Sequence, residues 1–419
     1  MSVVGVSVVG CRNISRHTDT PTTAVLVSTA PYLSHPMNNY RHLWPEAATK
    51  GYLNGASRAP QLKSVAVAAR EAIAWREQNA GMPIPHFFDG PQSVKAEFAR
   101  LIGCPEVDRV ALVPAASYGL ATVAKNLPIS KGDNIIVVAE QFPSNYYVWK
   151  ELCTSVGAQL KVVAKPTAGS ADSWSDRVLA SINNRTAAVA IGQVHWADGS
   201  LYDLAKLRTR TNEVDAWLVV DGTQSVGAYP INVSKIAVDA LVCGGYKWLQ
   251  GPYGCGYAYF GERMDNGKPL EENWINRAGS ENFTQLVNYQ DGYRPLAGRY
   301  SVGEHSNFLM MPMQLAALQQ VNAIGPATVQ KHDAALWEEV ASDLAAIGVV
   351  LPEQRAHHLV GLRLLRHMDV TTLADHLTAK GISVSYRGDA VRISPNVYNT
   401  PDDMEMLLRE LQALDRTTA

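Results

Sequence analysis

The feature that most constrains what this chain can fold into is a regular alternation of short, continuously apolar runs with stretches of helical period. Val110–Val113 leads to a helix from Tyr118, Asn134–Ala139 to a helix from Tyr146, and Gln159–Val163 to a helix near Asp176–Ile182. Ala187–Ile191, a helix near Leu204–Thr211, and Ala216–Val220 continue the pattern, followed by Ala240–Cys243 and Gly256–Phe260. A strand exposed on one face alternates apolar and polar residues, whereas a strand covered on both faces by crossover helices is apolar throughout. The runs are of the second kind, so the spacing predicts an α/β fold on a mainly parallel sheet. Before it, helices are predicted over Leu62–Gln78 and over Ser93–Ile102, the latter closed by Gly103.

Beyond Phe260 the pattern changes. A loop-rich stretch from Gly261 to Ser306 precedes helices over Met310–Ile324 and Thr328–Ile347. A strand at Leu359–Leu364, a helix at Thr371–Lys380, strands at Ser383–Ser385 and Ala390–Ile393, and a helix from Pro401 to Leu414 complete the chain. Three regions are therefore expected: an irregular Ser/Thr/Pro-rich arm over 1–45, a large domain over 46–325 and a small α+β domain over 326–419.

Several classes of function are excluded early. Lys and Arg number 37 against 39 acidic residues, with no block of like charge, whereas a nucleic-acid binder working by phosphate neutralisation usually shows a basic face or excess. No apolar run approaches the ~18 residues that a membrane-spanning helix needs. The five cysteines form no CxxC pair, which argues against a disulfide framework or zinc ribbon and fits a reducing, cytoplasmic setting. The apolar stretch Ser2–Gly10 lacks a preceding basic region and is short for a signal peptide.

Chemistry concentrates in two segments, Leu218–Gly227 and Val242–Gly256. Asp221 ends one apolar run, and Lys247 follows 26 residues later, shortly after another. Ligands of open α/β sheets sit outside the carboxyl ends of the strands. Alone, an aspartate at a strand end is more often a turn or cap residue, and a lysine among aromatics a solvated charge. Together, with glycines on both sides of Lys247, they fit pyridoxal phosphate, which needs a lysine for its Schiff base and a carboxylate to keep its ring nitrogen protonated. A unit-charge pair at 4 Å and an effective dielectric of 20 is worth about 4 kcal/mol, enough to hold that proton.

These segments resemble the class V aminotransferase superfamily of fold-type I pyridoxal-phosphate enzymes, which includes cysteine desulfurases, kynureninases and isopenicillin-N-epimerase-like enzymes. The resemblance runs from about Tyr52 to the C-terminus. It implies a large domain with a seven-stranded, mainly parallel sheet and a smaller α+β domain. It makes Lys247 the Schiff-base lysine, Asp221 the partner of the pyridine nitrogen, and Gln224 a donor to the phenolic oxygen. Ala116, Ser117 and Tyr118 match the phosphate-binding turn, Phe142 the aromatic stacked on the ring, and Tyr246 a tyrosine that reaches the phosphate in kynureninase-like members. Arg392, in Val391-Arg-Ile-Ser-Pro, matches the arginine that clamps the substrate α-carboxylate, and Ala56 and Ser57 a strand close to the substrate.

Departures from the family pattern count as well. Trp196 occupies a strand-end position where the family often has Asn. His195 beside it is a candidate substrate-binding or acid/base group, although a strand-end histidine is more often structural. Gly244 stands where desulfurases offer a serine to the phosphate. Ile382–Arg392 is short and contains no cysteine, which disfavours persulfide chemistry of the desulfurase kind.

The resemblance implies a homodimer, with Asn307 or a neighbour in Gly303-Glu-His-Ser-Asn307 completing the phosphate site across the interface. Glu304 and His305 lack a second ligand cluster, so no metal is expected. Tyr52, Trp196, Trp274, Arg277 and Tyr293 are candidates for lining the substrate pocket. The expected function is β-elimination on a cysteine-type or S-conjugated amino acid. Amino-group transfer and epimerisation remain open, as does a catalytically silent cofactor-binding regulatory module.

Overall fold

A computed structural model of the chain describes residues 40–167, 170–349, 351–352, 354–362, 370–388 and 390–418. The predicted N-terminal arm lies outside these residues except for its last few positions, where a short 3-10 turn at Arg41–Leu43 leads to the buried Trp44. The large sheet contains β1 (Val110–Val113), β2 (Asn134–Val138), β3 (Gln159–Val163), β4 (Thr186–Gly192), β5 (Trp217–Asp221), β6 (Ala240–Gly244) and β7 (Gly256–Phe260). Their order is β1-β7-β6-β5-β4-β2-β3; only β7 runs antiparallel to its neighbours. The fold is thus α/β, as the apolar runs predict.

The strands are apolar throughout because both faces are covered. Ile136, Val189, Leu218 and Leu241 point into one core layer, while Ile135, Ala188, Val219 and Val242 point into the other. β3 is the exception. It forms the sheet edge, and only Val163 in it is fully buried, so its Gln159 and Lys161 are tolerated.

Helix starts differ from expectation where capping chemistry intervenes. The helix predicted from Ser93 begins at Asp89, because Pro91 is tolerated in a first turn whose N–H groups have no partner inside the helix. The helix predicted from Asp176 begins at Trp174, with Ser173 and Asp176 forming a reciprocal capping box.

The second sheet is small: β8 (Val360–Leu362), β9 (Ser385–Arg387) and β10 (Ala390–Ile393), in the antiparallel order β8-β10-β9. β9 starts two residues later than predicted, because Ser383 instead bridges to Tyr52. Asn54 likewise bridges to Ser394, and Arg41 pairs with Asp403 at 2.6 Å. The segment from Arg41 to Ala56 therefore packs on the small sheet. The expected domain boundary falls at Gly325, whose φ of +80° turns the chain between helices Met310–Ile324 and Pro326–Ala346.

Candidate active site

Strand register brings the carboxyl ends of the central strands to one edge. Gly192 of β4 lies level with Asp221 of β5, and Asp221 with Val242 of β6. Gly244 and Val113 both lie level with Gly256. The turn carrying Lys247 and the first turn of helix Ala116–Asn126 therefore emerge at the same edge as Asp221.

A cleft there is lined by Gln141, Phe142, Gly192, Val194, Trp196, Asp221, Thr223, Gln224 and Lys247. Asp221 and Lys247 are both buried. Burial pushes the Asp221 carboxyl up, against the opposing pull of hydrogen bonds from Thr223 and the charge of Lys247. Asp221 Oδ1 accepts the Thr223 N–H at 3.0 Å, which fixes the carboxylate at the strand end. Burial and the Arg392 cation bring the Lys247 ammonium down to about 8, although Asp221 acts in the other direction. The Lys247 Nζ lies 5.5 Å from the centre of the Phe142 ring and 5.7 Å from that of Tyr246.

Gln224 is anchored on two sides. Its Oε1 accepts the indole N–H of Trp248 at 2.8 Å, and its Nε2 donates to the Ala56 carbonyl at 3.1 Å. An amide nitrogen carries two protons, so one stays available to a ligand oxygen. The Ala56 N–H donates to Ser394 Oγ at 3.0 Å. Both backbone groups of Ala56 are thus spent on holding Gln224 to the small sheet, with Ser57 half-buried next to it.

Arg392, on β10, is 1% exposed. Its Nε donates to Ser385 Oγ at 3.1 Å and its Nη1 to the Trp196 carbonyl at 2.9 Å. Its Nη2 is buried and has no partner among the described residues. An unpaired guanidinium nitrogen costs free energy unless a ligand completes it, and a carboxylate is the geometric match.

The remaining predicted residues divide. Phe142 and Trp196 both line the cleft, edge to face at 5.3 Å, and the Trp196 indole donates to the Glu140 carbonyl at 2.6 Å. No side chain caps helix Ala116–Asn126, and among the predicted turn residues the Ala116 and Ser117 N–H groups are open toward an anion, whereas the Tyr118 N–H donates to the Ala115 carbonyl at 3.1 Å. These three do not line the cleft, and neither does Tyr246, whose ring packs on Tyr253 at 4.5 Å.

His195 is not brought to the cleft. Gly192, Val194 and Trp196 face it, and the intervening His195 turns the other way, onto Trp174 at 4.8 Å and Asp198 at 3.1 Å. Asn307 is also elsewhere: its Oδ1 accepts the Met310 N–H at 3.0 Å, and it lines a separate groove with Trp274. Of the other pocket candidates, Arg277 and Tyr293 stack on each other and both bond Glu272, while the Tyr52 hydroxyl donates to the Arg58 carbonyl. His305 Nδ1 donates to the nearby Val302 carbonyl at 2.9 Å, and no trio of His, Cys, Asp or Glu converges among the described residues.

Sequence reasoning missed Gln141, Gly192, Val194 and Thr223, which line the cleft. Thr223 stood between the two residues singled out in Asp221-Gly-Thr-Gln224. Gly192 carries a steric signal, since a Cβ there would lie 2.9 Å from the Val194 carbonyl oxygen.

The residues present suit pyridoxal phosphate: a buried carboxylate, a buried amine, an aromatic face, an uncapped helix start and an unpaired guanidinium nitrogen. Known proteins agree. The uncharacterized aminotransferase YcbU of Bacillus subtilis is 24% identical over 388 residues, covering 91% of this chain and 99% of that protein. A cysteine desulfurase of Escherichia coli O127:H6 is 25% identical over 344 residues, covering 78% of this chain and 82% of its own. Among solved structures, the cysteine desulfurase CsdA of Escherichia coli superposes with a TM-score of 0.76 at 18% identity, covering 91% of this chain and 98% of that one. The cystine C–S lyase C-DES, in complex with cysteine persulfide, gives a TM-score of 0.78 at 18% identity, covering 88% and 98%. The aminotransferase class-V family profile matches residues 82–407, and the chain belongs to that family of pyridoxal-phosphate-dependent enzymes.

Proposed function

We propose that this enzyme removes a β-substituent from a cysteine-type or S-conjugated L-amino acid. The observation that carries the reading is the orientation of Arg392, whose free Nη2 lies in the same buried setting as Lys247. Pyridoxal phosphate, when bound, supplies an electron sink for bonds broken at the α-carbon. Asp221 would hold the proton on its ring nitrogen, Phe142 would cover one face of the ring, and Gln224 would donate to its phenolic oxygen. The open N–H groups of Ala116 and Ser117 would take the phosphate, joined by the Tyr246 hydroxyl.

Arg392 binds the α-carboxylate and so fixes which α-carbon bond stands upright to the ring. Lys247, whose ammonium burial and the Arg392 cation bring down to about 8, would move the α-proton. A desulfurase needs a thiol to receive sulfur. The four cysteines among the described residues, Cys104, Cys153, Cys243 and Cys255, are all buried, and none lines the cleft. Elimination needs no such acceptor. Transamination is the second reading, favoured by the near full-length match to a protein named as an aminotransferase.

A homodimer belongs to the same proposal. A groove of about 760 Å³ beside Asn307 leaves Ile73, Trp274 and Leu309 at 50%, 39% and 45% exposure. A second copy would cover them, and light scattering at the mass of one chain would overturn this part.

The test is a visible spectrum of the cofactor-loaded protein while amino acids and cysteine S-conjugates are added. Elimination predicts that ammonia and a keto acid accumulate with the starting band restored. Transamination predicts that the amino group stays on the cofactor until a keto acid is supplied. No cofactor band at all, or a band unchanged in Lys247→Ala, overturns the reading.

A further inference from the structure

Arg392 is not the only guanidinium directed at this site. Residues opposite one another across an antiparallel pair share a face of the sheet, as do residues two apart on one strand. Arg392 lies opposite Ser385, and Arg387 is two residues from Ser385, so Arg387 and Arg392 lie diagonally on one face of the small sheet. That face looks onto the end of β4, since Arg392 reaches the Trp196 carbonyl. Arg387 confirms the direction independently: its guanidinium carbon lies 5.4 Å above the Trp196 ring, and Trp196 lines the cleft of Lys247.

Two cations on one face repel each other, so a purely structural arginine here would be expected to carry an acid. Arg387 donates from Nη1 to its neighbour's carbonyl, Tyr386 O, at 2.6 Å. Among the described residues no carboxylate pairs with it, and its charge is felt at both Lys247 and Arg392. The half-buried guanidinium, with donors left over after Tyr386, lies over an indole that lines the cleft, next to the place where a substrate side chain would begin.

We propose that Arg387 is a second anion-binding group of the site, and that it selects α-amino acids whose side chain ends in a carboxylate or sulfinate. This rests on the assignment of Arg392 to the α-carboxylate: one arginine takes the common end of the substrate, the other its variable end.

The test uses the full chain loaded with pyridoxal phosphate. Apparent dissociation constants are read from the change in visible absorbance for L-aspartate against L-asparagine, and for L-cysteine sulfinate against S-methyl-L-cysteine. The acid is expected to bind about tenfold more tightly than its neutral counterpart, the scale of one partly desolvated charge pair. In Arg387→Gln that ratio should fall toward one, in Arg387→Lys it should be partly kept, and in Arg387→Glu it should invert. A merely structural arginine would weaken all four ligands together and leave the ratio alone. A preference confined to one acid pair identifies that anion as the one recognised. Equal binding of acid and neutral ligand by the unaltered protein, or an unchanged ratio in Arg387→Gln, overturns the inference while leaving the proposed reaction intact. A spectrum that responds to none of the four overturns both.

Discussion

Arg392 Nη1 donates to the carbonyl oxygen of Trp196 at 2.9 Å, so the small sheet is hydrogen-bonded to the turn that ends β4 of the large one. The same guanidinium keeps Nη2 unpaired in a buried setting. One side of the group is thus engaged in the fold and the other is unpaired among the described residues, so removing it has two separable consequences.

Arg392→Ala is expected to lower kcat/KM by about 2–5 kcal/mol, the usual cost of losing one half of a buried charge pair. Arg392→Lys should recover only part of this, because an ammonium cannot bond Ser385, Trp196 and a carboxylate in one plane. Steady-state kinetics on an accepted amino acid give the answer, and a near-normal kcat/KM in Arg392→Ala would remove the clamp from the proposal.

Asp221→Asn should separate stability from activity. Burial raises the Asp221 carboxyl, so the folded chain without cofactor gains nothing from that charge, and the amide should unfold at the same temperature or higher. The cofactor's ring nitrogen, however, would lose a partner worth about 4 kcal/mol, or roughly a thousandfold in rate. Calorimetry of the cofactor-free protein beside kinetics of the loaded protein tests the pair. Large losses in both would mean that Asp221 is a folding residue.

How much of this was legible beforehand depended on whether position along the chain was enough. The order of strands and helices was readable because strands buried on both faces leave an unmistakable apolar run, and Asp221 and Lys247 were readable because one ends such a run and the other lies shortly after the next. Direction across a turn was not. His195 and Trp196 are neighbours, and only the alternation of Gly192, Val194 and Trp196 decides which of them faces the cleft. Arg387 was hidden by register: with a strand at Ser383–Ser385 it falls in a loop, whereas at Ser385–Arg387 it shares a face with Arg392.

Acid should loosen the link between Gln224 and the small domain. His358 Nε2 donates to the Gln224 carbonyl at 2.7 Å, while its Nδ1 accepts from Gln330 Nε2 at 2.7 Å, an arrangement only the neutral ring satisfies. Burial holds its conjugate acid down to about 4, from the ordinary value of 6.5. The unfolded chain therefore binds more protons between those values, and stability that is full above pH ~6.5 is lost as pH falls toward 4. The loss should be about 2–3 kcal/mol. Unfolding midpoints measured across that window should fall more steeply for the unaltered protein than for His358→Gln, and parallel curves would exonerate the histidine.

Gly199 offers a test of whether the turn after β4 positions the site or merely closes the chain. Its φ is +80°, and a Cβ there would collide with the Leu359 carbonyl oxygen, because the turn lies directly against the strand entering the small sheet. The contact is reinforced by the Ala356 N–H donating to the Gly199 carbonyl at 2.9 Å and the Gly361 N–H to that of Asp198 at 3.2 Å. Within the turn, His195 and Lys165 hold the Asp198 carboxylate well below its ordinary range despite its burial. Gly199→Ala combines a disfavoured backbone conformation with a steric clash, so it should destabilise the chain by more than about 1 kcal/mol. If the turn positions Trp196, the Trp196 carbonyl shifts with it, Arg392 loses its fixed partner, and KM for the amino acid should rise beyond what the fraction unfolded explains. Kinetics well below the unfolding midpoint, where the folded fraction is complete, make the distinction: an unchanged KM there would show that Gly199 serves the fold alone.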